Sequence, residues 1–237
     1  MADHYFATNE LKDAVFSLKI VNEMLTKVRE DSLYWKWVFI ALHNSLQGFM
    51  VTCLCPFNDF AVMQPAPKPP KCSVTGGCCV KQERPWGSRE EWEAFCRGES
   101  EIQPKLPRML GFMDLYNRIT DRDHMEQFSC CYQAFEPAGT QTDSVKRLNK
   151  ELRNPLVHFR PKMMCRPVEK FPRITRDIIK IIDFMAFESD AISWSTSSAE
   201  QLCSETKGLI KDILGRLDEL EEHHKTAPKK DQAANPE

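Results

Sequence analysis

The chain has 237 residues, 42% of them hydrophobic and 28% charged, and its 32 Lys and Arg nearly balance its 34 Asp and Glu to leave a net charge of −2. That length is enough for a sizeable core, in one domain with elaborations or in two small domains, and one core plus an insertion is the reading adopted. The charge balance excludes binding of nucleic acid through a global positive field, so any such contact has to come from a local basic patch.

The first residues, MADHYFATNELKD, are charged and lack the apolar stretch of a signal peptide, which predicts a cytoplasmic protein whose ten cysteines are mostly thiols. From Asn9 to Glu30, Leu11, Val15, Leu18, Val21, Leu25 and Val28 recur at spacings of three and four. Such spacing marks an amphipathic helix that packs by one face. The next segment, from about Asp31 to Thr52, is apolar nearly all round and is expected to be surrounded by other elements, with Pro56 closing it. It lies in the longest apolar run, from Leu33 to Phe57, but Lys36, His43, Asn44, Ser45 and Gln47 fall inside. These groups are costly at a bilayer centre, so a buried helix and no membrane contact are expected.

Residues 56 to 108 change character, with PAPKPP at 65 to 70, Gly76 and Gly77, and prolines 85, 104 and 107. They read as an irregular Pro- and Cys-rich insertion, with one short helix started by a capping box of Ser88 and Glu91 ahead of Trp92 and Phe95. A further helix is predicted from about Pro107 to Ile119. Thr142 or Asp143 caps another, which runs through Val145, Leu148 and Leu152, is disturbed by Pro155 and is ended by Pro161. Pro172 sits near the start of a helix striped by Ile174, Ile178, Ile181, Ile182 and Met185. Ser197 with Glu200 opens a long helix to about His224, on which Ile210, Ile213, Leu217 and Leu220 form a seam. The tail KTAPKKDQAANPE is polar and expected to be disordered. No sustained period-two alternation and no fixed repeat occur, so the expected fold is all-α. It is a helical bundle of about five main helices in a single domain, 1 to 224, that associates with other chains through the apolar helices at 172 to 224.

The chemistry concentrates in ELRNPLVHF, residues 151 to 159. On a helix, Asn154 and His158 are four apart and share a face, and Arg153 has the reach to join them. Arg supplies a planar cationic fork suited to phosphate oxygens, and His exchanges a proton near neutral pH. The pair is sufficient in kind for metal-free phosphodiester cleavage. Pro155 stands against this alignment, because its ring crowds the carbonyl of Glu151 and biases Asn154 away from helical angles. Either the helix ends at Asn154 and a new turn begins with Pro155, or a kink points the cluster outward. The structural alternative is that Arg153 pairs with a carboxylate such as Glu151 while His158 bonds a carbonyl at a helix junction.

A second group, His43, Asn44 and Gln47, lies inside the apolar second helix, where His43 and Gln47 share a face. Polar groups so placed have to find partners, and a network between helices, or a supporting layer behind Arg153 or His158, is expected. Basic residues crowd the motif: Lys146, Arg147, Lys150, Arg153, Arg160, Lys162, Arg166, Lys170, Arg173 and Arg176. Lys150, Arg160 and Lys162 are the candidates for RNA contact, with the acidic stretch DELEEHH available to neutralise part of the run. Cys53, Cys55, Cys72, Cys78, Cys79 and Cys96 lack the paired knuckles of a structural zinc site, and Cys130, Cys131, Cys165 and Cys203 support no nucleophile, so neither metal nor cofactor is expected. Glycine-rich phosphate loops and paired metal-binding carboxylates are also absent from the sequence.

The pattern Arg, polar residue, three residues, His, near the end of a helix in an all-α chain, resembles the signature of the HEPN superfamily (higher eukaryotes and prokaryotes nucleotide-binding). ALHNSLQGFM, 41 to 50, and LNKELRNPLVHFRPK, 148 to 162, also resemble uncharacterised bacterial HEPN-like proteins. The likeness spans the helices at 9 to 52 and 142 to 224 and leaves the insertion uncovered. It implies a HEPN-like RNA-binding protein that acts as a metal-independent endoribonuclease, with Arg153 and His158 as the catalytic pair and Asn154 orienting them. It further implies a homodimer in which two motifs face one groove, and an antitoxin or other protein partner. The alternative is a non-catalytic helical interaction module in which the same residues tie helices together.

Overall fold

The computed structural model describes residues 8–55, 62–63, 97, 108–126, 132–158, 165–195 and 197–226. The chain divides into two compact units, Met1–Pro56 with Phe112–Glu237, and Phe57–Gly111. Of the second unit, the described residues show Met63 bridged to Met109 in antiparallel fashion, with the Leu110 N–H donating to the Val62 carbonyl at 2.8 Å. The capping box at Ser88, the cysteines at 72, 78, 79, 96, 130 and 131, and residues 227–237 of the tail lie outside the described residues, whereas Lys225 and Thr226, expected in the disordered tail, belong to the last helix.

The first unit is an all-α bundle. Helix α1, Glu10–Lys27, starts where the Asn9 side chain accepts the Lys12 N–H at 2.9 Å, a side-chain cap that satisfies one of the orphan donors of the first turn. Its buried residues are those of the apolar spacing: Val15, Leu18, Val21 and Leu25. A 3₁₀ turn, Ser32–Tyr34, capped by Asp31, leads into α2, Trp35–Leu54. Helix α2 lies between α1 on one side and α3, the 148–153 segment and α7 on the other, with α3 being Phe112–Ile119 and α7 Phe171–Phe187. Ser32–Leu54 is long and apolar enough to cross a membrane, but most of its apolar side chains are buried against these neighbours.

A short α4, Arg122–Glu126, follows α3. An extended segment then runs back along the bundle, held by Gln133 N–H to the Ser189 carbonyl at 3.0 Å and Phe135 N–H to the Ile119 carbonyl at 2.8 Å. Helix α5, Gln141–Arg147, begins one residue before Thr142, with Thr140 at its cap position. It is tied to α7 by Asp177, whose carboxylate accepts the Ser144 hydroxyl at 2.6 Å and the Thr140 hydroxyl at 3.1 Å. Pro172 occupies the first turn of α7, where its missing N–H costs nothing. Helix α8, Ser197–Thr226, packs on α1 and α7.

The apolar stripes at 172 to 224, through which association is expected, take part in the core of the single chain. Ile174, Ile178, Ile181, Ile182 and Met185 of α7, and Ile210, Ile213, Leu217 and Leu220 of α8, are buried within the single chain. Both stripes are thus filled by the bundle's own helices.

The tightest contact in the bundle is between α1 and α2. A Cβ placed on Gly48 would lie 2.8 Å from the Ala14 Cβ and 3.0 Å from the Glu10 carbonyl oxygen. Neither neighbour is a flexible chain end, so the two helices would have to separate. Gly48→Ala gains about 1 kcal/mol of helix propensity, but overpacking costs about 1–3 kcal/mol. A net loss of stability is expected in urea unfolding, with Gly48→Val worse; an Ala variant as stable as wild type would contradict the close crossing.

Candidate functional site

The helix that carries the motif does not break at Pro155. After α5 the backbone passes into a π turn, Leu148–Arg153, in which the Asn154 N–H donates to the Asn149 carbonyl, and then into a short α6, Asn154–Val157, with Pro155 in its first turn. A π turn inserts one residue into the helical spiral, which moves the preceding carbonyls from beneath the proline ring and absorbs its missing donor. Asn154 keeps helical angles, φ −61 and ψ −44. The expected displacement of Asn154 does not occur: the chain stays helical through it, and Pro155 falls in the first turn of the α6 segment. The extra residue takes up the misfit while Leu148 and Leu152 both stay buried.

With the helix continuous, the motif residues fall into place one by one. The Arg153 guanidinium donates from Nη1 to Asn154 Oδ1 at 3.0 Å. Glu151, the carboxylate foreseen as a partner for Arg153, faces Arg147 instead at 3.6 Å. The His158 N–H donates to the Asn154 carbonyl at 3.1 Å, so His158 stands one helical turn beyond Asn154, and it is exposed. Arg153 and Asn154 are half-buried. The cluster thus has a fixed base, the guanidinium held on the amide, and an exposed imidazole one turn away.

Behind it lies His43. Its side chain is 3% exposed, its ring stacks on Phe112 at 4.1 Å and 16°, and its Nε2 is 3.3 Å from Asn149 Oδ1. With that oxygen as acceptor, Nε2 carries the hydrogen and Nδ1 is left as an acceptor. Burial foremost, then the Arg153 cation, pull the His43 pKa from 6.5 down to about 4, against the opposing pull of Asn149 and Asn44. Within the bundle, Nδ1 itself has no partner at hydrogen-bond geometry. Asn44 is exposed and Gln47 half-buried. Of the three polar residues of α2, therefore, only His43 joins the motif helix by a hydrogen bond among the described residues.

Asn149 is the residue that sequence reasoning passed over. Its signal was the spacing of four to Arg153, which places both on the helix face turned to α2. Phe112 had no such signal, since nothing local tells which aromatic will stack on a distant imidazole. Both His43 Nδ1 and Arg153 Nε are buried without a hydrogen-bond partner, which concentrates unmet polar demand at this junction.

Of the basic run, Lys150 is exposed, whereas Arg160 and Lys162 lie outside the described residues. Arg176 is taken up by Asp218 at 2.8 Å and Glu221 at 3.2 Å. Cys53 is buried, with its thiol pushed up to about 12 by burial, and bonds the Met185 carbonyl at 3.7 Å, as an inert core side chain would. Among the described residues no three His, Cys, Asp or Glu side chains gather as metal ligands do.

Neither family models, nor curated proteins, nor solved structures returned a match to this chain.

The lowered pKa of His43 carries a sign. Its folded pKa lies below its unfolded one, so the unfolded chain takes the proton first, and the stability held by the neutral ring is fully present above pH 6.5 and lost as pH falls toward 4. About 2 kcal/mol should go between pH 7 and pH 5. Urea unfolding of wild type and His43→Gln at both pH values tests this: the variant should lose less on acidification, and equal losses would refute it.

Proposed function

We propose that this chain is a HEPN-like RNA-binding protein and that it cleaves RNA without a metal ion. The observation that carries the reading is a guanidinium bonded to Asn154 one helical turn before an exposed imidazole, on a helix that stays helical through Pro155. In the cleavage step, a ribose 2′-oxygen attacks the adjacent phosphorus and the bond to the 5′-oxygen breaks. His158 takes the proton from the 2′-hydroxyl or delivers one to the leaving oxygen, and Arg153 stabilises the charge that builds on the non-bridging oxygens. The products are a 2′,3′-cyclic phosphate and a 5′-hydroxyl. One imidazole per chain supplies only one of the two proton transfers at a time. That favours a homodimer in which two His158 side chains face one scissile bond, as the resemblance implies.

Asn154 orients the guanidinium, and His43 with Asn149 supports the helix from behind. A second reading, a non-catalytic interaction module, draws on one observation: Arg153 Nε is buried, which ties part of this side chain to the helix junction. In that case a protein partner or antitoxin would meet the exposed side of the same helix.

Incubation of the purified protein with single-stranded RNA in EDTA separates the two. Cleavage is expected in wild type and should fall at least about 100-fold in His158→Ala and in Arg153→Ala. RNA with a 2′-deoxyribose at the cleaved position should be resistant. Cleavage that survives both substitutions would remove the proposed site. Wild type that neither cuts nor binds RNA, with Arg153→Ala less stable to heat, would favour the interaction module.

A further inference from the structure

The basic run does not spread evenly over the surface. Four of its members gather around a cavity of about 490 Å³ between α5 and the start of α7: Lys146 and Arg147 from one wall, Lys170 and Arg173 from the other. Ile174 lines it as an apolar side chain, together with Thr140 and Ser144, whose hydroxyls donate to Asp177. The volume lies in the range of pockets that take a nucleotide.

The charge balance within the notch is positive. Asp143 and Glu151 also line it, but Lys146 meets Asp143 at 4.0 Å between exposed groups and Arg147 meets Glu151 at 3.6 Å between half-buried ones, both long contacts in reach of water. Four cations against two carboxylates leave a net charge of +2. Arg173 is held rather than loose, because its Nη2 donates to the Thr140 hydroxyl at 2.9 Å, and that hydroxyl donates to Asp177. The fork is thereby positioned at the mouth before any ligand arrives, which lowers the ordering cost of binding. Arg176, one turn further along α7, is excluded by its two carboxylate partners on α8.

We infer that this notch holds a backbone phosphate of the RNA strand whose scissile bond lies at Arg153 and His158. The inference rests on the RNA reading above, and it adds a site separate from the motif. Lys146 and Arg147 stand on the same continuous helix as Arg153, so a strand seated in the notch is in fixed register with the motif. The contact is to phosphate and reads no sequence.

Lys146→Ala/Lys170→Ala tests it, with Lys12→Ala/Lys211→Ala as a control of equal net charge on exposed positions of α1 and α8. All four positions are exposed, so thermal unfolding should match wild type in both variants. Binding of a single-stranded RNA is measured by fluorescence anisotropy across a range of salt concentrations. The notch variant should bind about 10- to 100-fold more weakly at low salt, with the log–log salt slope shallower by about 0.7 for each phosphate that is no longer neutralised. The control should keep both affinity and slope. Wild type that binds RNA while the notch variant keeps its affinity and slope, or weakens no more than the control, overturns the notch and leaves the RNA reading standing. Wild type that binds no RNA at low salt overturns both.

Discussion

Pro155 has no amide hydrogen to give and a ring that needs room, yet it sits in a helix whose flanking residues have to stay in register with the core. Leu148 and Leu152 must both reach the bundle interior, and Asn154 and His158 must remain one turn apart. The π turn at Leu148–Arg153 meets these demands together by taking in one residue before the proline. The geometry of the motif is therefore set by an accommodation that lies upstream of it.

That accommodation has a partner in α2. A helix buried on nearly every side leaves its one buried imidazole dependent on what its neighbours offer. The π turn offers Asn149, and α3 offers the face of Phe112. A neutral His43 is the form that this setting tolerates, since a second cation next to Arg153 would be repelled in a place where water cannot screen it. His43 thus differs in kind from His158. One ring is sealed within the bundle and held neutral; the other is exposed at a helix end.

The same division runs through the basic residues. Arg176 faces α8 and is neutralised there, Arg147 and Lys146 keep distant carboxylates, and Arg173 is steered by a hydroxyl that Asp177 anchors. Of the described members of a stretch that looks uniformly cationic as a string, one arginine is paired with carboxylates and four basic side chains line one notch. Proximity in the chain says which charges are present; packing says which remain for a ligand.

The all-α class and the core faces of α1, α2, α7 and α8 were legible in the sequence, because periods of three and four in apolar residues are a local property that burial simply reads out. The adjacency of Arg153 and Asn154 needed no more than neighbouring positions, and their side chains do bond. The route by which Pro155 is tolerated was not legible, because π and α turns differ little in local preference and the choice depends on keeping both leucines in a core built by other helices. Nor could the string show that His43 meets Asn149 across 106 positions, or that the stripes of α7 and α8 are spent inside one chain. Those outcomes depend on which faces meet in space, and only the packed bundle decides that.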